Sequence, residues 1–172
     1  MSDVFTKAKR SEVMSRIRGR GNKETELALA KLLRAARITG WRRHALVKFK
    51  VQGSGFNVQG SARLEFRVRP DFVFPKLRAA VFVDGCFWHG CPKHSSLPAN
   101  HRAFWLKKLT GNQGRDRRVT RVLRQSGWRV LRIWEHELTR KNQARCVGRV
   151  QRFLGIEEPF SSCIRRGCLS ER

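Results

Sequence analysis

Apolar residues first recur at helical spacing. Leu29, Leu32, Leu33 and Ala36 form one stripe and predict a helix from Lys23 to Ile38, with Asn22 as N-cap. Thr39-Gly40 end it, and the period then shortens. His44–Lys50 reads as a short strand. Leu64, Phe66 and Val68 alternate with Arg63, Glu65 and Arg67, the pattern of a half-buried strand. Arg69–Phe74 continues it or starts a neighbour; Pro70 lacks the N–H a central ladder needs at that point. Pro75-Lys-Leu-Arg78 is a turn and Ala79–Val83 a buried strand, so the two arms predict a hairpin. The glycine-rich, polar run 52–61 predicts a surface loop. Asn100–Leu109 predicts a helix that Thr110-Gly111 break. Asn112–Gln125 predicts a second helix with Val119, Val122 and Leu123 inward. Ser126-Gly127 turn the chain into a strand, Trp128–Trp134, which completes the shape of an α/β crossover. Asn142–Leu154 closes as a helix, with Val147, Val150 and Phe153 or Leu154 inward. The expected organisation is a basic helix or arm over 1–21, one mixed α/β domain over 22–155, and a disordered tail from 156.

Charge changes this picture most. Lys and Arg total 38 against 13 Asp and Glu, a net charge of +25, which repels itself in a compact state unless a polyanion offsets it. Nucleic acid is the expected partner. A membrane surface would call for a basic amphipathic helix or a lipidation signal, and neither stands out. No apolar run of about 18 residues predicts a membrane span. The opening residues lack the apolar core of a secretory signal, so an intracellular, cytoplasmic chain is expected. Disulfides are disfavoured there, and the five cysteines read as metal ligands and free thiols. Within the helix predicted at 112–125, Arg115, Arg117, Arg118, Arg121 and Arg124 form a cationic surface.

The chemistry concentrates in Val81–His94. Cys86, Cys91 and His94 follow one another at Cys-x4-Cys-x2-His spacing, which suits three ligands of a tetrahedral zinc. His136, directly after a strand, is the natural fourth. Phe87 and Trp88 lie between the thiols and are expected to be exposed. Antiparallel pairing of the hairpin brings Asp71 near Asp84, which is either a divalent-cation site or a pair of strand-end caps. Asp116 is either an ion-pair partner of its arginine neighbours or the polariser of an imidazole. Glu26, in the first turn of its helix, is favourable against the helix dipole and needs no further role on spacing alone.

Arg-Pro-Asp71, the run Phe82–His94, Phe104-Trp105-Leu106, Arg115–Arg118 and Gly127–His136 together resemble the very-short-patch mismatch-repair endonuclease family. So does the opening Lys7–Arg18, and the likeness spans roughly residues 2–155. The resemblance implies a restriction-endonuclease-like fold, a mixed β-sheet flanked by helices. It also implies a magnesium-dependent DNA endonuclease that nicks one strand beside a mispaired base, a T:G pair, in bacterial cytoplasm on the nucleoid. By the same resemblance Asp71 binds magnesium and the Val83 backbone carbonyl completes that site. His89 is the catalytic imidazole, Asp116 orients it, and Glu26 lies near the metal's waters. Cys86, Cys91, His94 and His136 hold the structural zinc. Phe87, Trp88 and Trp105 form an aromatic wedge for the base stack, and Arg115, Arg117 and Arg118 meet phosphates. Asp84 stands where the family's pattern has a histidine, so it either binds magnesium or holds a water. A monomer is expected, with mismatch-repair proteins as candidate partners. The competing reading is a zinc-stabilised DNA-binding module without catalysis, which leaves Asp71, Asp84 and Glu26 without a purpose.

Overall fold

A computed structural model of the chain describes Glu12 and residues 25–51 and 64–156. Apart from Glu12, the basic arm lies outside the described residues. So do the Asn22 cap, the loop at 52–61 and the tail beyond 156.

Helix α1 (Glu26–Ala35) begins three residues later than its predicted start and buries Leu29, Ala30 and Leu33. Six strands follow: β1 (Arg42–Arg43), β2 (Val47–Val51), β3 (Leu64–Val68), β4 (Phe72–Phe74), β5 (Ala79–Asp84) and β6 (Arg129–Trp134). β2 and β3 pair as a separate antiparallel ribbon. The other four form one mixed sheet in the order β1-β4-β5-β6. β1, β4 and β5 run antiparallel, and β5 pairs with β6 in parallel through the crossover helix α2 (Arg102–Gln125). Helix α3 (Gln143–Leu154) closes the domain. No described helix is long and apolar enough to cross a membrane.

Alternation along the strands sorts side chains onto two faces. Phe72, Phe74, Val81, Val83, Leu131 and Ile133 pack with Leu29 and Leu33 of α1 and with Cys146, Val150 and Leu154 of α3. Phe72 is fully buried, and truncating such a ring costs about 3–5 kcal/mol. On the other face, Val73, Ala80 and Val130 pack with Leu123 of α2 and with Val47 and Val68 of the ribbon. The same alternation turns Phe82 and Asp84 of β5 toward α2. That face carries the candidate site.

Two expectations are corrected here. The strand expected at His44–Lys50 starts three residues later, as β2, and a short strand of the other sheet, β1, precedes it; His44, in the left-handed backbone region (φ 51°), separates the two. Thr110-Gly111 do not end a helix: α2 runs unbroken through both. An interior glycine costs about 1 kcal/mol against alanine, and Gly114 repeats the cost three residues on. Buried Leu109 before them, and Val122 and Leu123 after them, anchor both halves and outweigh that cost.

Candidate active site

A cavity of about 700 Å³ opens at the end of β5. Glu26, Asp71, Asp84, His89, Asp116 and Arg132 all line it. They form two groups.

In the first, the end of α1 meets the β1–β4 edge. Glu26 is only 6% exposed, and Arg43 Nη2 and His44 Nε2 each lie 2.8 Å from its Oε2. The left-handed backbone at His44 sends the chain back so that its amide donates to the Asp71 carbonyl at 3.2 Å. Side-chain ligand atoms of Glu26, His44 and Asp71 lie within 4.8 Å of one another, a group that could hold a metal ion. Asp71 Oδ2 accepts the Val83 N–H at 2.7 Å, which ties it across the hairpin. Burial pushes the Asp71 carboxyl up from 3.8 to about 6, against the pull of that N–H, and the neighbouring Glu26 charge adds to the rise.

In the second group, His89 Nδ1 is 2.5 Å from Asp116 Oδ2 and 3.6 Å from Asp84 Oδ1. A proton on Nδ1 donated to Asp116 leaves Nε2 as the free acceptor. Arg132 of β6 closes the group. Its Nε and Nη2 meet both oxygens of buried Asp84 at 2.6 and 2.5 Å, and Nη2 reaches Asp116 Oδ1 at 3.1 Å. Burial alone would raise the Asp116 carboxyl; the His89 hydrogen bond and the Arg132 charge outweigh it and hold the carboxyl below its ordinary range.

Beside the cavity lies a third group, Cys86, Cys91, His94 and His136, with ligand atoms within 4.8 Å of one another. Cys86 Sγ is 3.3 Å and Cys91 Sγ 3.6 Å from His136 Nδ1, and Cys91 Sγ is 3.7 Å from His94 Nδ1. A tetrahedral cation with bonds of about 2.3 Å to sulfur and 2.0–2.1 Å to nitrogen sets sulfur–nitrogen edges near 3.5 Å, so the donor set fits one. The Cys86 N–H donates to Glu135 at 3.0 Å, and Asn112 of α2 donates to the Trp88 carbonyl at 2.9 Å. The loop between is therefore held from both α2 and the turn that follows β6. Gly90 in this loop has φ 66°, a conformation that side chains rarely adopt. Phe87 and Trp88 are half-buried rather than exposed: their rings pack at 5.1 Å, and Phe87 meets Trp105 at 5.2 Å. Lys108 lies over the Trp88 and Trp105 rings. Arg115, Arg117 and Arg118 are exposed along α2.

The structure thus gathers Asp71 with Glu26, His89 with Asp116, and the four thiol and imidazole donors. Asp84 faces Arg132 and His89 rather than Asp71's group, and Val83 meets Asp71 through its N–H. Sequence reasoning missed His44 and Arg132. The signal for Arg132 is a charged residue flanked by apolar ones in the middle of β6, which must find a partner where the strand is buried. For His44 there is no local signal, since its position follows from the pairing of β1 with β4.

Carboxylates and imidazoles in one cavity, beside a thiol–imidazole group, make this a candidate metal-dependent site on a strongly basic protein. A family model described as DNA mismatch endonuclease Vsr matches residues 44–95, which span His44, Asp71 and the whole thiol loop. The chain is 39% identical over 138 residues to the DNA mismatch endonuclease Vsr of Escherichia coli (strain K12), covering 78% of this chain and 74% of that protein. It is 33% identical over 156 residues to the Type II nicking enzyme V.NmeAIP of Neisseria meningitidis serogroup A, covering 90% and 95%. Against the Type II nicking enzyme V.NaeI of Lentzea aerocolonigenes it is 52% identical over 71 residues, which cover 41% of this chain and 43% of that protein. The chain belongs to the Vsr DNA mismatch endonuclease family.

Proposed function

We propose that this protein is a DNA endonuclease that nicks one strand of duplex DNA beside a mispaired base, T:G first among them, by magnesium-dependent hydrolysis on a restriction-endonuclease-like fold. The observation that carries the reading is the convergence of Glu26, Asp71, His89 and Asp116 on one cavity beside an aromatic cluster, in a chain of this family.

Asp71 and Glu26 would hold the cation. Magnesium, when bound, supplies a lowered pKa for a coordinated water and positive charge against the leaving oxygen. His89 would move a proton at Nε2, while Asp116, at Nδ1, would fix its tautomer. Cys86, Cys91, His94 and His136 would hold zinc; four protein ligands would leave it no open position, so its part would be to stiffen the loop. That loop carries Phe87 and Trp88, which together with Trp105 would enter the base stack. Unstacking costs a few kcal/mol per step, and a mispaired step costs less to open, which is a physical source of selectivity. Arg115, Arg117, Arg118 and the basic arm supply phosphate contacts that weaken with salt. The reading puts the protein in the cytoplasm on the nucleoid as a monomer, with mismatch-repair proteins as candidate partners.

A panel of labelled duplexes, each with one mispair, tests this. Wild-type protein should nick one strand in magnesium, and Asp71→Ala should bind the same duplex without nicking it. If no duplex is cut in magnesium or manganese, the chain is a DNA-binding module. Elemental analysis should find one zinc per chain, and folded zinc-free protein would remove that assignment.

A further inference from the structure

Asp84, His89 and Asp116 offer ligand atoms within 4.8 Å of one another, a second acidic group that could hold a metal ion. We propose that Arg132 is a positioning residue whose guanidinium fills the place a second divalent cation would take there. The inference rests on the metal-dependent reading above.

Strand register builds the clamp. Phe82 of β5 and Arg132 of β6 are direct partners, and Asp84 lies two residues on, on the same face as Phe82. The Arg132 guanidinium carbon sits 5.0 Å over the Phe82 ring, so its planar head is aimed along the sheet. From there it takes both oxygens of Asp84, at 2.6 and 2.5 Å, and one oxygen of Asp116, at 3.1 Å. Each Asp116 oxygen then has its own partner: Oδ1 faces Arg132 and Oδ2 faces His89. The carboxylate cannot rotate away from the imidazole without giving up the guanidinium. A dication entering this group would have to displace a bidentate charge-assisted pair. In the other group, Arg43 and His44 contact Glu26, while the donor to the Asp71 carboxylate is the neutral Val83 amide. The cavity thus takes one mobile cation, at Asp71, and has one cation built in.

The test counts manganese bound to zinc-loaded, full-length protein without DNA, by electron paramagnetic resonance. Wild type should bind one Mn2+ in the cavity and Arg132→Gln two; adding Asp84→Asn to Arg132→Gln should return the count to one. Arg132→Lys, which keeps the charge, should bind one. Nicking by Arg132→Gln should fall on the order of 10²-fold in kcat with little change in KM, as for loss of one preorganised charge. A single manganese on folded Arg132→Gln, or two on wild type, would overturn the proposal. Should Arg132→Gln fail to fold without metal, millimolar Mn2+ decides: refolding supports the built-in cation, and no refolding overturns it. Because the count needs no DNA, a wild type that nicks nothing removes the nuclease reading and leaves this result to stand or fall alone.

Discussion

Asp71 and Asp116 line the same cavity, and burial is the largest influence on each, yet they end up on opposite sides of the ordinary carboxylate range. Asp71 rises to about 6, since burial and the charges of Glu26 and Asp84 outweigh the Val83 amide and the nearby His44. Asp116 falls, since His89 and Arg132 both stabilise its charged form. The difference teaches that a buried carboxylate is satisfied either by a cation of the fold or by one from solution. Asp116 has the first. Asp71 has the geometry for the second.

The most severe test of this contrast is Asp71→Asn, which keeps shape and removes charge. If Asp71 holds the catalytic cation, nicking should fall by at least about 10³-fold, the several kcal/mol a bound metal supplies. Affinity for duplex in metal-free buffer should hold or rise, because a negative group near the phosphate is gone. Nicking within tenfold of wild type would erase the distinction between the two carboxylates. Asp116→Asn should cost less, about 10²-fold, the contribution of a positioned proton-transfer group. It should leave cation affinity at Asp71 unchanged, measured by the same manganese titration. A large loss of that affinity would merge the two groups into one site.

The residues of this contrast were unequally legible in the sequence. Asp71 and Asp84 could be read because alternation and the Pro75 turn set the hairpin register, which pairs Phe72 with Val81. The thiol and imidazole donors could be read because those side chains at that spacing have few other uses. Asp116 was legible as one of two alternatives, and the structure gives it a partner of each kind, His89 at 2.5 Å and Arg132 at 3.1 Å. His44 was hidden because its backbone φ of 51° follows from pairing between distant strands. Arg132 was hidden because an arginine in a strand reads as an outward position, as Arg129 of the same strand is, until the parallel partner Phe82 is known. Helix α2 was divided at Gly111 because a glycine signal is local, whereas the burial of Leu109, Val122 and Leu123 that overrides it is tertiary.

The acidity of Asp71 gives a sharper and smaller effect. Its folded value of about 6 lies above its ordinary 3.8. A raised group contributes stability that is fully present below about pH 4 and lost as pH rises through about 6. A cation replaces that lost proton, so metal and proton compete. Manganese affinity should therefore drop about tenfold between about pH 7.5 and pH 5. The check is the shift in Tm on adding Mn2+, compared at the two pH values. Taking the difference with and without metal removes Asp116 and Glu137, which are lowered, and whose stability is lost as pH falls. An equal metal shift at both pH values would mean that Asp71 is not the ligand.

Arg43→Ala should have the smallest effect, and its sign is the informative part. Arg43 is half-buried and reaches Glu26 at 2.8 Å, so it is a cation of the fold beside the Asp71 group. Its contact is with buried Glu26. Removing it subtracts positive charge from a pocket meant for a cation. Manganese should then bind a few-fold tighter, while the corresponding loss at Arg132 opens a new position instead of strengthening an old one. Weaker manganese binding in folded Arg43→Ala would mean that Arg43 shapes the pocket by holding Glu26 in place, and that the charge of the first group is not what draws the metal.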